Sequence, residues 1–173
     1  MEVTDGSAFA AYMKSVRRRT LEVAKAVPPE RETFRLSEDG MSPVDILVHI
    51  AVVEDSLWGS GLKSGRAVPL DEPSRDGMSL ATAVDFMTDK RKDAAAFWRA
   101  LTPDDREREI ITPTGHKHVL KRWLVLAPEH EIHHRTFIHA YRKFWGLGPH
   151  PIYGLTLPEL REKLDKLEGE AGS

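Results

Sequence analysis

Apolar residues recur at helical spacing through most of this chain. Phe9, Met13, Val16, Thr20, Val23 and Val27 share one stripe that Pro28-Pro29 closes, predicting a first helix from about Ser7 to Val27. A second start is written at Met41-Ser42-Pro43-Val44-Asp45-Ile46, with Ser42 as N-cap, Pro43 in the first turn, Asp45 returning the capping-box contact and Met41 facing Ile46. This helix should reach Trp58 and stop at Gly59, with Ile46, His49, Ile50, Val53 and Leu57 facing inward. Residues 59–78 are rich in Gly, Ser and Pro and have no period, so they read as a long crossover loop over one end of a bundle. Ser79 caps a third helix with inner stripe Leu80, Val84, Met87, Ala94, Trp98 and Leu101, ended by Thr102-Pro103. Residues 103–117 read as polar and irregular. The strongest period follows, in Leu120, Trp123, Ala127, His130, His134, Phe137, Tyr141 and Trp145, with Gly146 as stop. Thr156-Leu157-Pro158-Glu159 opens a short last helix, and the tail is expected to fray after Leu167.

Four long amphipathic helices without strand patterns predict an all-α four-helix bundle over residues 1–155, followed by a short C-terminal helix and frayed tail over 156–173. A chain of 173 residues with 40% hydrophobic and 30% charged residues suits one such domain. It holds no apolar run long enough for a membrane span and no basic, apolar leader, so a cytoplasmic location without membrane contact is expected. A formal charge of -2 offers no bulk field for nucleic acid. Arg17-Arg18-Arg19 spans most of a helix circumference and is expected to be solvated. The four tryptophans read as core or dimer contacts, since no basic groove accompanies them.

Cysteine is absent, so disulfides, thiolate metal sites and a cysteine nucleophile are excluded, and a transition-metal site must be built from imidazole and carboxylate. Eight histidines make that chemistry available. His49 stands among branched aliphatics on the second helix. His130 and His134, four apart on the fourth helix, are about 40° apart around the axis and share the apolar stripe. Three buried imidazoles need partners, and one divalent cation meets all three demands through lone pairs on neutral rings. The alternative is three rings bonded separately to carbonyls and carboxylates. His133 sits on the shoulder of the stripe, and His116, His118 and His150 fall in loops or at helix ends.

His130-Glu131-Ile132-His133-His134 also spells H-E-x-x-H, the zinc-peptidase signature in which the glutamate activates water. The longer signature fails, with Phe137 where glycine would stand and Ala140 where the third histidine would, and no strand pattern offers an edge for a peptide substrate. His49 is the better third ligand. Glu131, about 60° from His134, is the candidate base or the acceptor for a ligand's second nitrogen.

Three stretches, Met41 to Ala51, Glu129 to Arg135 and Gly146 to Gly154, together with the helix order and the long second loop, resemble the DinB-like (YfiT-like) metal-binding four-helix bundles across about residues 7–155. The resemblance implies metal ligands at His49, His130 and His134, a divalent ion that is frequently zinc or nickel, homodimers, and activities that include thiol-dependent transferases and isomerases. Three imidazoles suit zinc, nickel, copper or iron, and iron or manganese is expected after zinc and nickel. Arg135-Thr136-Phe137 stands where family members often carry Arg-Gly-Gln. The expected function is therefore a metal-dependent hydrolase, or a transferase using a low-molecular-weight thiol, acting on a small molecule. A non-catalytic metal-stabilised bundle in stress response is the alternative.

Overall fold

The computed structural model describes residues 2–148 and 150–171, the last three by backbone alone. Helix α1 (Gly6–Lys25) begins where Asp5 accepts a hydrogen bond from the Ala8 N–H at 2.6 Å. Its first residue is pressed against the end of a later helix: a Cβ on Gly6 would lie 2.0 Å from the Trp98 carbonyl oxygen, so only glycine fits. Helix α2 (Pro43–Trp58) carries the expected capping box between Ser42 and Asp45. Nearly every residue of α2 is buried, His49, Asp55 and Leu57 being the exceptions, as suits a helix that is apolar all round. After a 3-10 turn over Ser60–Ser64 the crossover runs to Ser79, which caps α3 (Leu80–Ala100) through the Thr82 N–H.

The region expected to be irregular is ordered. Thr102 and Asp105 form a capping box on the short helix α4 (Pro103–Glu107), and β1 (Glu109–Ile111) pairs antiparallel with β2 (Lys117–Val119) around a turn at Gly115. Strands of three residues are too short to show a period of two in sequence, which is why the hairpin escaped notice. The single fourth helix expected from Leu120 to Trp145 is two, α5 (Leu120–Trp123) and α6 (Leu126–Phe144). Pro128 has no N–H to give the Leu124 carbonyl, which instead accepts from the Ala127 N–H at 3.1 Å in a tighter turn. The last helix, α7 (Leu157–Ala171), is longer than expected and stays helical past Leu167; residues 172–173 of the anticipated frayed tail lie outside the described residues. Its leucines 157, 160, 164 and 167 form a stripe between 42 and 61% exposed.

The four long helices make a bundle in which α1 packs on α3 and α6, and α2 packs on the same two. Its apolar interior falls into two clusters, one around Phe9, Met13, Trp58, Trp98 and Leu124, the other around Val23, Ile46, Leu47, Met87 and Ile138. Between them lies a layer of charge to which each helix gives one residue. Arg17 Nε donates to Glu131 Oε1 at 2.9 Å, Arg17 Nη2 pairs with Glu54 Oε1 at 3.2 Å, and Arg91 Nη2 donates to Glu131 Oε2 at 2.6 Å and pairs with Glu54 Oε2. Arg17 Nη1 also donates to the Met87 carbonyl at 2.9 Å. Arg17 is 4% exposed, so it departs from the solvated reading of its triplet; Arg18 is the exposed member and pairs with Glu22. Position 17 follows Met13 by four residues and so shares the buried face.

Arg17→Met removes one of two cations and leaves the layer with an unmatched buried negative charge. Unfolding in urea should show a loss of about 3–5 kcal/mol. Adding Glu54→Gln in that background restores neutrality and should recover part of the loss, whereas additive losses would mean that the four groups do not act as a unit.

Candidate metal centre

His49 is the polar break in the burial of α2, and it faces α6 across the groove between the two helices. Glu131 of α6 is 1% exposed and points inward, so His130 and His134, at about 100° and 60° from it on one side, fall on the flank that meets His49. The three rings are half-buried, and one nitrogen of each lies within 4.8 Å of the others. His49 Nε2 and His130 Nε2 are 3.3 Å apart, and the ring centres of His134 lie 4.5 Å from those of both His49 and His130. Trp58 packs 5.1 Å from the His130 ring and closes the cluster from the core side.

These residues fit a divalent ion. Two nitrogens bound to zinc at tetrahedral angles stand about 3.3 Å apart for bonds of about 2.0–2.1 Å, which is the His49–His130 separation. The Nδ1 of His134 is buried without a hydrogen-bond partner. Burial, reinforced by the neighbouring imidazoles, lowers the pKa of His130 to about 3 and that of His134 to about 4; burial also lowers that of His49, with Glu72 opposing and Arg75 adding to the shift. All three are therefore neutral at pH 7, with lone pairs to give.

Glu131 is not brought to the imidazoles. Both its oxygens are held by arginine, and although burial favours the protonated form, Arg17 and Arg91 outweigh it and hold the carboxyl below the usual range. This corrects the expectation of a water-activating base and, with it, the peptidase reading of H-E-x-x-H, which needs that carboxylate beside the metal. His133 is exposed, with its ring edge-on to His134 at 5.0 Å. Phe137, expected in the core, is 44% exposed, because the buried face of α6 runs through Glu131, Arg135, Ile138 and Tyr141 instead. The sequence reading missed Glu54 and Arg91. Their signal was present: position 91 is the inward step between Met87 and Ala94, and position 54 that between Ile50 and Trp58.

Residues 12–138 match the model of the DinB superfamily. The chain is 27% identical over 148 residues to the uncharacterised protein YjoA of Bacillus subtilis, covering 84% of this chain and 94% of that one. The crystal structure of YjoA, a DinB-like protein, superposes with a TM-score of 0.66 at 25% identity, covering 83% of this chain and 95% of YjoA. Two further structures share the fold at 16% identity. A DinB-like protein from Bacillus cereus has a TM-score of 0.64 over 82% of this chain and 93% of its own. YfiT from Bacillus subtilis, described as "a probable metal-dependent hydrolase with an unusual four-helix bundle topology", has a TM-score of 0.65 over 83% and 89%.

The depressed imidazole pKa values set a direction for stability. In the unfolded chain each ring takes up a proton near pH 6.5, whereas in the metal-free folded protein it resists protonation until lower pH. Their contribution is thus complete above pH 6.5 and is lost as pH falls towards the folded values near 4 and 3. Chelator-treated protein should show a urea midpoint that falls from pH 7 to pH 5, and His130→Gln should flatten that fall. An unchanged slope in the variant would show that other groups govern it.

Proposed function

We propose, from the premise that this chain belongs to the DinB superfamily, that it is a metal-dependent enzyme whose centre is the imidazole trio His49, His130 and His134. The observation that carries the reading is the convergence of three neutral, half-buried rings from two helices, with a buried His134 nitrogen that no protein group satisfies. Three imidazoles suit zinc, nickel, copper or iron, and a site without a carboxylate ligand is a poorer match for manganese. Three protein ligands leave a coordination position for a substrate, as catalytic rather than structural sites do. A divalent ion held there would supply Lewis-acid activation of a substrate carbonyl or of an incoming water or thiol.

The chain's own residues define what that chemistry can be. No cysteine is present, so a thiol nucleophile must come from a small molecule. Both oxygens of Glu131 are engaged by arginines of the charge layer, so hydrolysis or thiol transfer at the centre would draw its base from another group. Glu72 and Arg75 of the crossover loop, joined at 2.6 Å, are the charges from outside the bundle that act on His49. No helix among the described residues is long and apolar enough to cross a membrane.

Elemental analysis of untagged protein tests the reading: about one divalent ion per chain is expected, with His49→Ala losing it and a chelator lowering Tm of the parent but not of the variant. Full occupancy in His49→Ala would remove that residue from the centre. The homodimer expected from sequence is proposed to form through α7, whose leucine stripe lies beyond the family match and is unusually exposed for such residues. Light scattering should give a dimer for the parent and a monomer for Leu160→Glu/Leu164→Glu; a dimeric variant would place the interface elsewhere.

A further inference from the structure

A cleft of about 270 Å³ opens beside the imidazole cluster, between α6 and the loop that leads into α2. His134 forms part of its wall, and the remainder is mainly apolar, with Leu36, Met41, Ile46, Phe137 and Tyr141 among the lining residues. Not one charged side chain lines it. The Tyr141 hydroxyl, which could have offered a donor, is engaged by the Met41 carbonyl at 2.6 Å. Apart from His134, the Ser37 hydroxyl is the remaining polar side-chain group in the wall.

We infer that this cleft holds the body of the substrate, and that the substrate is an uncharged aryl or short-chain acyl compound whose oxygen-bearing head reaches the metal. The inference rests on the metal reading and adds the substrate class to it. Three features lead there. Continuity is the first, because a molecule seated in the cleft touches the same imidazole that completes the metal group. Size is the second: a cavity of about 150 Å³ accepts benzene, so this one takes a phenyl ring with several further atoms. Polarity is the third, since a carboxylate or ammonium placed against these walls would lose its water without gaining a partner. Ile46 and Tyr141 are buried and fixed, whereas Leu36 and Phe137 are exposed at the mouth, where large apolar side chains gain burial only when something covers them.

Hydroxamates probe the two halves separately, since the head binds metal and the tail is chosen freely. Calorimetry on zinc-loaded protein should find benzohydroxamate about tenfold or more tighter than acetohydroxamate, from the apolar area the ring buries. A 4-carboxybenzohydroxamate should lose that gain. Ala140→Trp, which fills the cleft from the exposed side of α6, should bring benzohydroxamate down to the affinity of acetohydroxamate while zinc content stays at the parent level. Equal affinities for the two probes in the parent, or a preference that survives Ala140→Trp, would overturn the assignment of the cleft while leaving the metal reading intact. The cleft is also tested without metal: in excess chelator, the fluorine NMR signal of 4-fluorobenzyl alcohol should broaden with the parent and not with Ala140→Trp. Absence of zinc binding would overturn the metal reading, and the fluorine experiment would then decide the cleft by itself, identical broadening in both proteins sinking it.

Discussion

Two arginines and two glutamates, one from each long helix, meet between the two apolar halves of the bundle, and the rest of the structure is arranged around their neutrality. Any one of the four charges would be costly in that position alone, and all four together leave no net charge. Such a layer adds little to stability beyond what apolar residues of the same size would give. Its effect is on register. Sliding one helix by a turn would set a charge against Met13, Met87 or Ile138 and strand its partners, so wrong alignments carry a penalty that the apolar stripes by themselves would not impose.

That register determines where the histidines stand. Because Glu131 must reach Arg17 and Arg91, its neighbours at 130 and 134 are turned to the flank of α6 facing α2, and because Glu54 must reach the same arginines, His49 emerges in the facing groove. The rings are thereby held at the rim of the interior, dry enough to stay neutral and open enough to be reached. A pair of helices thus contributes acid to the middle of the bundle and imidazole to its edge. The Trp58 carbonyl, which accepts from the Trp98 indole at 2.6 Å, ties α2 to α3 just behind the cluster.

Much of this was legible in the residues. Ser42, Pro43 and Asp45 state a helix start in local chemistry, and the structure repeats it contact for contact. Ser79 and Gly59 likewise mark boundaries that depend on nearest neighbours only. The three histidines were found because imidazole at a leucine position is conspicuous. What was illegible required knowledge of a partner far along the chain: Arg17 looks solvated beside Arg18 and Arg19 until Glu131 is known to face it, and Glu131 looks like a base beside His130 until Arg17 and Arg91 are known to hold it. The break between α5 and α6 was an error of a different kind. Pro128 announced it, but a continuous apolar period carried the helix through.

The charge layer also bears on how the chain comes to be folded during its synthesis. Arg17, Glu54 and Arg91 all precede Glu131 along the chain, and Glu131 follows Arg91 by 40 residues, or about two to eight seconds of elongation. Throughout that interval two of the layer's cations face one anion, and burying the unmatched charge would be costly for the three earlier helices. Arrival of α6 cancels the excess and delivers His130 and His134 in the same stroke. The scaffold and its reactive corner are therefore completed together, and a ribosome-bound fragment lacking that helix would have neither.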